Sequence, residues 1–291
     1  MLDGRERGWA LAAVGMLLVS TDSYFIRRAD FDAWTIAFLF AVASTISLGL
    51  VFAVRTDTSA TTLVRREPWP FVAIVVLSAL TQLAFVGAVN NTAVANVVVI
   101  VAATPIVSAG LAWALLGERV ERRIAISIAA TVAGIVVVVG GSVGSPTLDG
   151  DLLALVAVAL VSASLILWRR HRLVDRPLAL AMSSASLALI TAPFASVGEA
   201  PARVFVAAGL MGLLFNPLGR IAYTTAPKYA PTAEVALFTP IETVAATVWA
   251  WMFFSERPTP PTVVGGVIVI AAVVWGTVGA RARNPRRSAR C

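Results

Sequence analysis

The sequence predicts an all-α polytopic membrane protein whose ten transmembrane helices form two inverted five-helix repeats. Three observations predict it. Of the 291 residues, 58% are apolar and 13% charged, where soluble chains hold roughly half and a quarter. The apolar residues come in blocks of about twenty, the length a helix needs to cross a hydrocarbon core of about 30 Å. A segment of the first half also returns in the second, an odd number of spans later.

The blocks place helices near 8–26, 34–54, 69–89, 94–117, 124–141, 151–168, 178–197, 203–225, 232–254 and 262–280. Arg5 and Arg7 precede the apolar run Gly8 to Leu18 as they would in a signal peptide. More spans follow without a clear small-residue cleavage site, so the run reads as the first helix. The longest connection, Arg55 to Pro68, is short. Cys291 is the only cysteine and closes no disulfide within the chain.

Charge then orients the spans. With the N-terminus inside, inner segments hold Arg5, Arg7, Arg55, Arg65, Arg66, Arg119, Arg122, Arg123, Arg169, Arg170, Arg172, Arg176, Lys228, Arg281, Arg283, Arg286, Arg287 and Arg290. Outer segments hold only Arg27, Arg28, Arg203 and Arg257, and Arg220 falls within a span. The positive-inside rule therefore puts both termini in the cytoplasm. The net charge of +7 reads as orientation, with attraction of the Arg-rich tail to anionic lipid. Without aromatic interleaving, the basic residues do not read as a nucleic-acid site.

The repeated segments are Thr92 to Arg119 (TAVANVVVIVAATPIVSAGLAWALLGER) and Pro231 to Arg257 (PTAEVALFTPIETVAATVWAWMFFSER). Aligned on Glu118-Arg119 and Glu256-Arg257, they match Asn96 with Glu234, Thr104 with Glu242 and Trp113 with Trp251. They are the fourth and ninth helices, so the copies run in opposite directions. Inverted repeats meeting near the midplane are a signature of secondary transporters.

On these residues the chain resembles the EamA-type carriers of the drug/metabolite transporter superfamily, over essentially its whole length. The resemblance is carried by LLGER at Leu115–Arg119, AGIVVVVGG at Ala133–Gly141, the run Ala230–Pro258 and GGVIVIAAVVWG at Gly265–Gly276. STDSYFIR at Ser20–Arg27 adds to it. The second helix reads TIAFLFAV at Thr35–Val42, where many members carry an arginine, and Arg220 stands where a small residue is more usual. The resemblance implies ten helices, interior termini and movement of small metabolites, often amino acids, usually outward. It also implies domains at 1–141 and 142–280, with a basic cytoplasmic tail at 281–291, in a bacterial-type inner membrane.

An ionisable group inside a span costs about 2.5–3.5 kcal/mol on insertion scales and should face a cavity or a partner. Glu242, near mid-membrane in the ninth helix beside the helix-bending Pro240, is the leading candidate to bind a substrate ammonium or exchange a proton; an Arg-paired structural carboxylate is the alternative. Arg220, with Asn216 and Tyr223 on the same face of the eighth helix, could accept a substrate carboxylate, pair with Glu242 or reach the headgroups. Asp22 reads as a local partner of Arg27 and Arg28, or as an outer gate. Glu234 reads as a first-turn charge favouring the helix dipole. Arg119, Arg122 and Arg123 are near enough to neutralise Glu118.

Gln82, Asn96 and Thr104 are polar groups in spans that can bind solute or bond helix to helix. Trp113, Trp168 and Trp249 could line a pocket or sit at interfaces. Gly87, Gly110, Gly134, Gly209, Gly212 and Gly265 read as close-packing sites.

An enzyme reading finds no H-E-x-x-H, phosphate loop or Cys/His spacing, and His171 lies in a basic loop. The expectation is therefore a secondary carrier of a small solute, facilitated or proton-coupled and working by alternating access, with no cofactor and no metal, acting in the lipid bilayer as a monomer or homodimer. A drug or cationic-compound efflux carrier is the alternative within transport. A membrane scaffold or receptor is the alternative outside it.

Overall fold

Each apolar block folds as a helix whose ends are set by its polar flanks. The computed structural model describes residues 3–92, 94–139, 148–255 and 258–281. The boundary expected at 141/142, residues 282–291 of the basic tail with Cys291, and the Glu256-Arg257 pair lie outside the described residues.

The first segment, α1, runs Gly4–Val19 and resumes after Ser20 as Thr21–Ala29. Then follow α2 (Ala33–Arg55), α3 (Pro68–Asn91) and α4 (Val94–Val101 and Thr104–Leu116). After them come α5 (Arg122–Val139), α6 (Leu148–Arg170) and α7 (Arg176–Thr191). The last three are α8 (Ala202–Leu210, a π turn Met211–Phe215, and Asn216–Thr225), α9 (Thr232–Ala236 and Ile241–Phe254) and α10 (Pro260–Arg281). A seven-residue helix, Ala60–Arg66, occupies the longest connection.

Asp3, Asp32 and Asp175 cap α1, α2 and α7 through their carboxylates, filling backbone N–H groups that a first turn leaves open. Nine segments among the described residues are long and apolar enough to cross a membrane. The tenth, α5, is 18 residues long and packs along α10. Large apolar side chains such as Ile46, Leu50, Val206 and Val267 face outward, as lipid-facing surface requires.

Helix packing follows a two-fold relation that takes α1 to α6, α2 to α7, α3 to α8, α4 to α9 and α5 to α10. The pairs α2–α7, α4–α9 and α5–α10 map onto themselves, while α1–α8 maps onto α6–α3 and α4–α6 onto α9–α1; all are in contact. The end of α4 meets the start of α9, where Glu118 Oε2 accepts from the Thr232 amide at 3.0 Å. The paired helices therefore run antiparallel. Even their caps agree: α4 ends at Gly117 with φ 66° and α9 at Ser255 with φ 56°, equivalent positions in the repeat.

Two crossings need glycine on both sides. A Cβ on Gly15 would lie 2.8 Å from the Gly219 carbonyl oxygen, and one on Gly219 would lie 2.8 Å from that of Gly15. Gly134 and Gly265 form the corresponding contact between α5 and α10. Gly87 and Gly212 also meet neighbours closely, whereas Gly110 and Gly209 face open space; helix spacing alone could not tell these two from the others.

Candidate functional site

The repeat-equivalent helices α4 and α9 are both broken in their first half. In α4 the break falls at Ala102 and Ala103, just before Thr104-Pro105. In α9, Phe238, Thr239, Ile241 and Glu242 each donate their amide three residues back rather than four, around Pro240. Proline has no N–H to give the ladder, so the α9 break falls where the sequence places its bend. Non-helical backbone at membrane depth is tolerated where it is packed in protein or lines a cavity.

Here it lines a cavity. Glu242, Thr239, Pro240 and Thr243 of α9 face Val98, Val101 and Ala102 of α4 and Phe85 of α3 across a space of about 70 Å³. One water occupies about 10–15 Å³ on that measure, so the space admits a small head group rather than a whole drug. Among the described residues no side chain donates to the Glu242 carboxylate. The wall is therefore one acidic group, two hydroxyls and an apolar face. Such a wall can receive an ammonium carried on an apolar body. Phe85, Val98, Val101, Ala102, Thr239 and Thr243 are absent from the sequence-derived candidates. Thr239 lies within the motif around Glu242, whereas nothing in the local sequence distinguishes Phe85 from its apolar neighbours.

The other candidates fall into separate groups. Tyr223 joins α8 to α9 through a 2.9 Å hydrogen bond between its hydroxyl and that of Thr239. Arg220 donates to Gln82 Oε1 at 3.0 Å and to Ser184 Oγ at 3.4 Å, bridging to α3 and α7 rather than to Glu242. Asn216 Nδ2 donates to Asp22 Oδ2 at 2.5 Å, so the partner of Asp22 is on α8 and not the nearby Arg27 or Arg28. Asp22 lies within electrostatic range of both Glu242 and Arg220. Asn96 donates to Thr92 at 3.2 Å, and Thr104 to its own helix at Val101. Trp249 Nε1 donates to Ser20 Oγ at 2.9 Å. Trp168 is buried under the Arg176 guanidinium, and Trp113 is 66% exposed on the outside of α4; neither lines the cavity.

The end of the bundle that carries Arg5 is tied by ion pairs. Glu234, 3% exposed, accepts from Arg5 Nε at 2.8 Å, from a second Arg5 nitrogen and from Trp9 Nε1 at 2.8 Å. Arg5 also reaches Glu121 at 3.2 Å. Arg169 of α6 pairs with Glu118 at 2.7 Å and donates to the Pro227 carbonyl at 2.7 Å. Glu234 thus holds α9 to α1, a role beyond its place in a first turn. Glu118 is neutralised from α6, 51 residues away, and not by its sequence neighbours. These contacts have no local signature, since each partner sits on a different helix.

A stability difference follows. Arg5→Ala strands a buried carboxylate and is expected to cost about 1–3 kcal/mol, discounted because Arg5 is partly exposed. Glu234→Gln keeps the Trp9 hydrogen bond and should cost about 1 kcal/mol or less. Thermal unfolding in detergent should rank Arg5→Ala below both Glu234→Gln and the double variant; a double variant below Arg5→Ala excludes the stranded-charge account.

Comparison with known proteins returned a match to the family described as EamA-like transporter, over residues 6–140 and 148–277. No curated protein matched the chain. A solved crystal structure of a protein is similar over 94% of this chain and 98% of its own, with a TM-score of 0.79 at 16% identity. At that identity the likeness speaks for the fold alone.

Proposed function

Because the chain belongs to the EamA-like transporter family, we propose that it is a secondary carrier exporting amino acids or related amine-bearing metabolites by alternating access. The observation that carries this reading is Glu242: a carboxylate that receives no hydrogen bond from the described residues, beside a helix break, in a cavity sized for a small polar head group. Binding energy for an ammonium is thereby left available to the solute. The two repeats, taken as 1–141 and 142–280, rock about α4 and α9 so that the cavity meets each side in turn.

Arginine distribution supports an inner-membrane orientation with the Arg5 end in the cytoplasm and residues 281–291 against anionic lipid. In that orientation the ion pairs of Arg5 and Arg169 close the cytoplasmic end. A zwitterion would be met by Glu242 together with an arginine such as Arg220, which here is held by Gln82 and Ser184. A second reading, efflux of cationic compounds, is favoured by the cavity wall itself, which carries Glu242 without Arg220.

Purified protein in proteoliposomes, loaded with unlabelled solute and offered the same solute in labelled form, tests both. Counterflow across a panel of amino acids and hydrophobic amines should be at least tenfold above empty liposomes for one class. Preference for neutral amino acids supports the first reading and preference for amines the second. No counterflow with any member of the panel refutes this assignment of substrate class.

A further inference from the structure

Two backbone irregularities meet where α1 packs on α8. α1 is interrupted at Ser20, which is 1% exposed. The Ser20 hydroxyl donates to the Leu17 carbonyl at 2.7 Å and accepts from Trp249, while Ser23 donates to the Ser20 carbonyl at 2.8 Å. Opposite, α8 passes through the π turn Met211–Phe215 into Asn216-Pro217. The Leu213 carbonyl accepts from Ser47 on α2 at 2.6 Å. Hydroxyls thus serve the loosened backbone on both helices.

The side chains between them are not so served. Asp22 Oδ2 takes the Asn216 amide, but Asp22 Oδ1 and Asn216 Oδ1 are both buried without a partner. Asn216 is 5% exposed. A buried acceptor left unmet is costly, more so when charged, and this pair has two. The charged and titratable groups around it do not supply the missing donor. Arg220 of α8 is engaged by Gln82 and Ser184, and Tyr223 by Thr239. Arg203, at the start of α8, donates to the carbonyls of Ala29 and Asp30. Arg27 lies over the Phe254 ring, and Glu242 of α9 is itself an acid.

We propose that Asp22 and Asn216 form a binding site for a coupling cation, a proton or a sodium ion, separate from the Glu242 cavity. A proton on Asp22, or a sodium ion bound at this pair, would answer the excess of acceptors; helix interruptions are where transporters hold such ions. Asp22 lies within electrostatic range of Glu242, a like charge, and of Arg220, whose guanidinium offsets part of that repulsion. A cation at Asp22 weakens the negative potential that draws an amine to Glu242, and an amine at Glu242 does the same to Asp22. That mutual weakening is what exchange of cation for solute requires. The coupling role rests on the carrier reading above; the cation site itself does not.

Thermal unfolding in detergent tests the site without a solute. The parent is measured from pH 5.5 to 8.5 and, at fixed pH, with NaCl against choline chloride. Ligand binding to the folded state raises the midpoint, so acidification or sodium should raise it by a few degrees. Dependence on pH alone identifies the proton, and dependence on sodium at constant ionic strength identifies that ion. The shift should persist in Glu242→Gln and vanish in Asp22→Asn, which keeps a partner for Asn216. If Asp22→Asn does not fold, Asn216→Ala should move the sodium or pH midpoint about tenfold. A parent with neither dependence, a shift that survives Asp22→Asn, or an unmoved midpoint in Asn216→Ala overturns the proposal. Lack of solute flux would leave this readout intact, so the two readings fail separately.

Discussion

Glu242→Gln is expected to lower solute flux about 30- to 150-fold while leaving the protein folded, which corresponds to about 2–3 kcal/mol for a lost charge-assisted contact. The separation of the two effects is the point of the experiment. A structural carboxylate would have protein donors, and its replacement would strand them. Glu242 faces a cavity and receives no hydrogen bond from the described residues. Glutamine keeps the shape, removes the charge and relieves repulsion with Asp22, so the unfolding midpoint should stay level or rise. Flux in proteoliposomes together with thermal unfolding decides it. Unchanged flux removes Glu242 from the site, and a large loss of stability returns it to a structural role.

The second large effect concerns packing. Gly265→Leu is expected to cost at least about 3 kcal/mol and to depress the yield of monodisperse protein. Overpacking alone costs about 1–3 kcal/mol, and here the obstruction is backbone. A Cβ on Gly265 would lie 2.7 Å from the Val138 amide nitrogen and 2.6 Å from Val138 Cγ2, with the Gly134 carbonyl oxygen nearer still. The facing Gly134 leaves no flexible side chain to yield. Gly110→Ala is the control: its Cβ meets nothing within 4 Å, and alanine is the better helix former by about 1 kcal/mol. Its midpoint should not fall. Equal behaviour of the two variants would refute the close-contact account.

How much of this was legible beforehand depends on the range of the interaction. Span positions are local, set by runs of apolar residues between capping aspartates and prolines, and they lie within a few residues of the observed helices. The inverted repeat was legible because two copies of one segment carry the same ending, LLGER and FFSER. The bend at Pro240 was legible for the same local reason. The π turn before Asn216 has no comparable signature; it sits where Gly212 brings α8 against the α2 backbone at Phe40 and Ser44. Pairings such as Asn216 with Asp22, 194 residues apart, or Arg5 with Glu234, 229 apart, are products of the fold. Sequence reasoning therefore found most of the polar groups inside the spans but assigned several to neighbours along the chain instead of across it.

The ion pairs at the Arg5 end have a kinetic meaning. Two identical inverted copies would give two mirror-related states of equal energy, and a carrier built from them would rest in each half of the time. Glu234, however, corresponds to Asn96 in the other copy. The carboxylate holds α1 by three donor contacts, while Asn96 donates to Thr92 and leaves its oxygen unmet. For a carrier working by the proposed alternating access, that asymmetry would tilt the resting population toward the state in which the Arg5 end is shut. Such a tilt cannot choose the net direction of flux, which gradients alone determine. It would set which half of the proposed cycle is slow, and so on which side of the membrane an empty carrier waits.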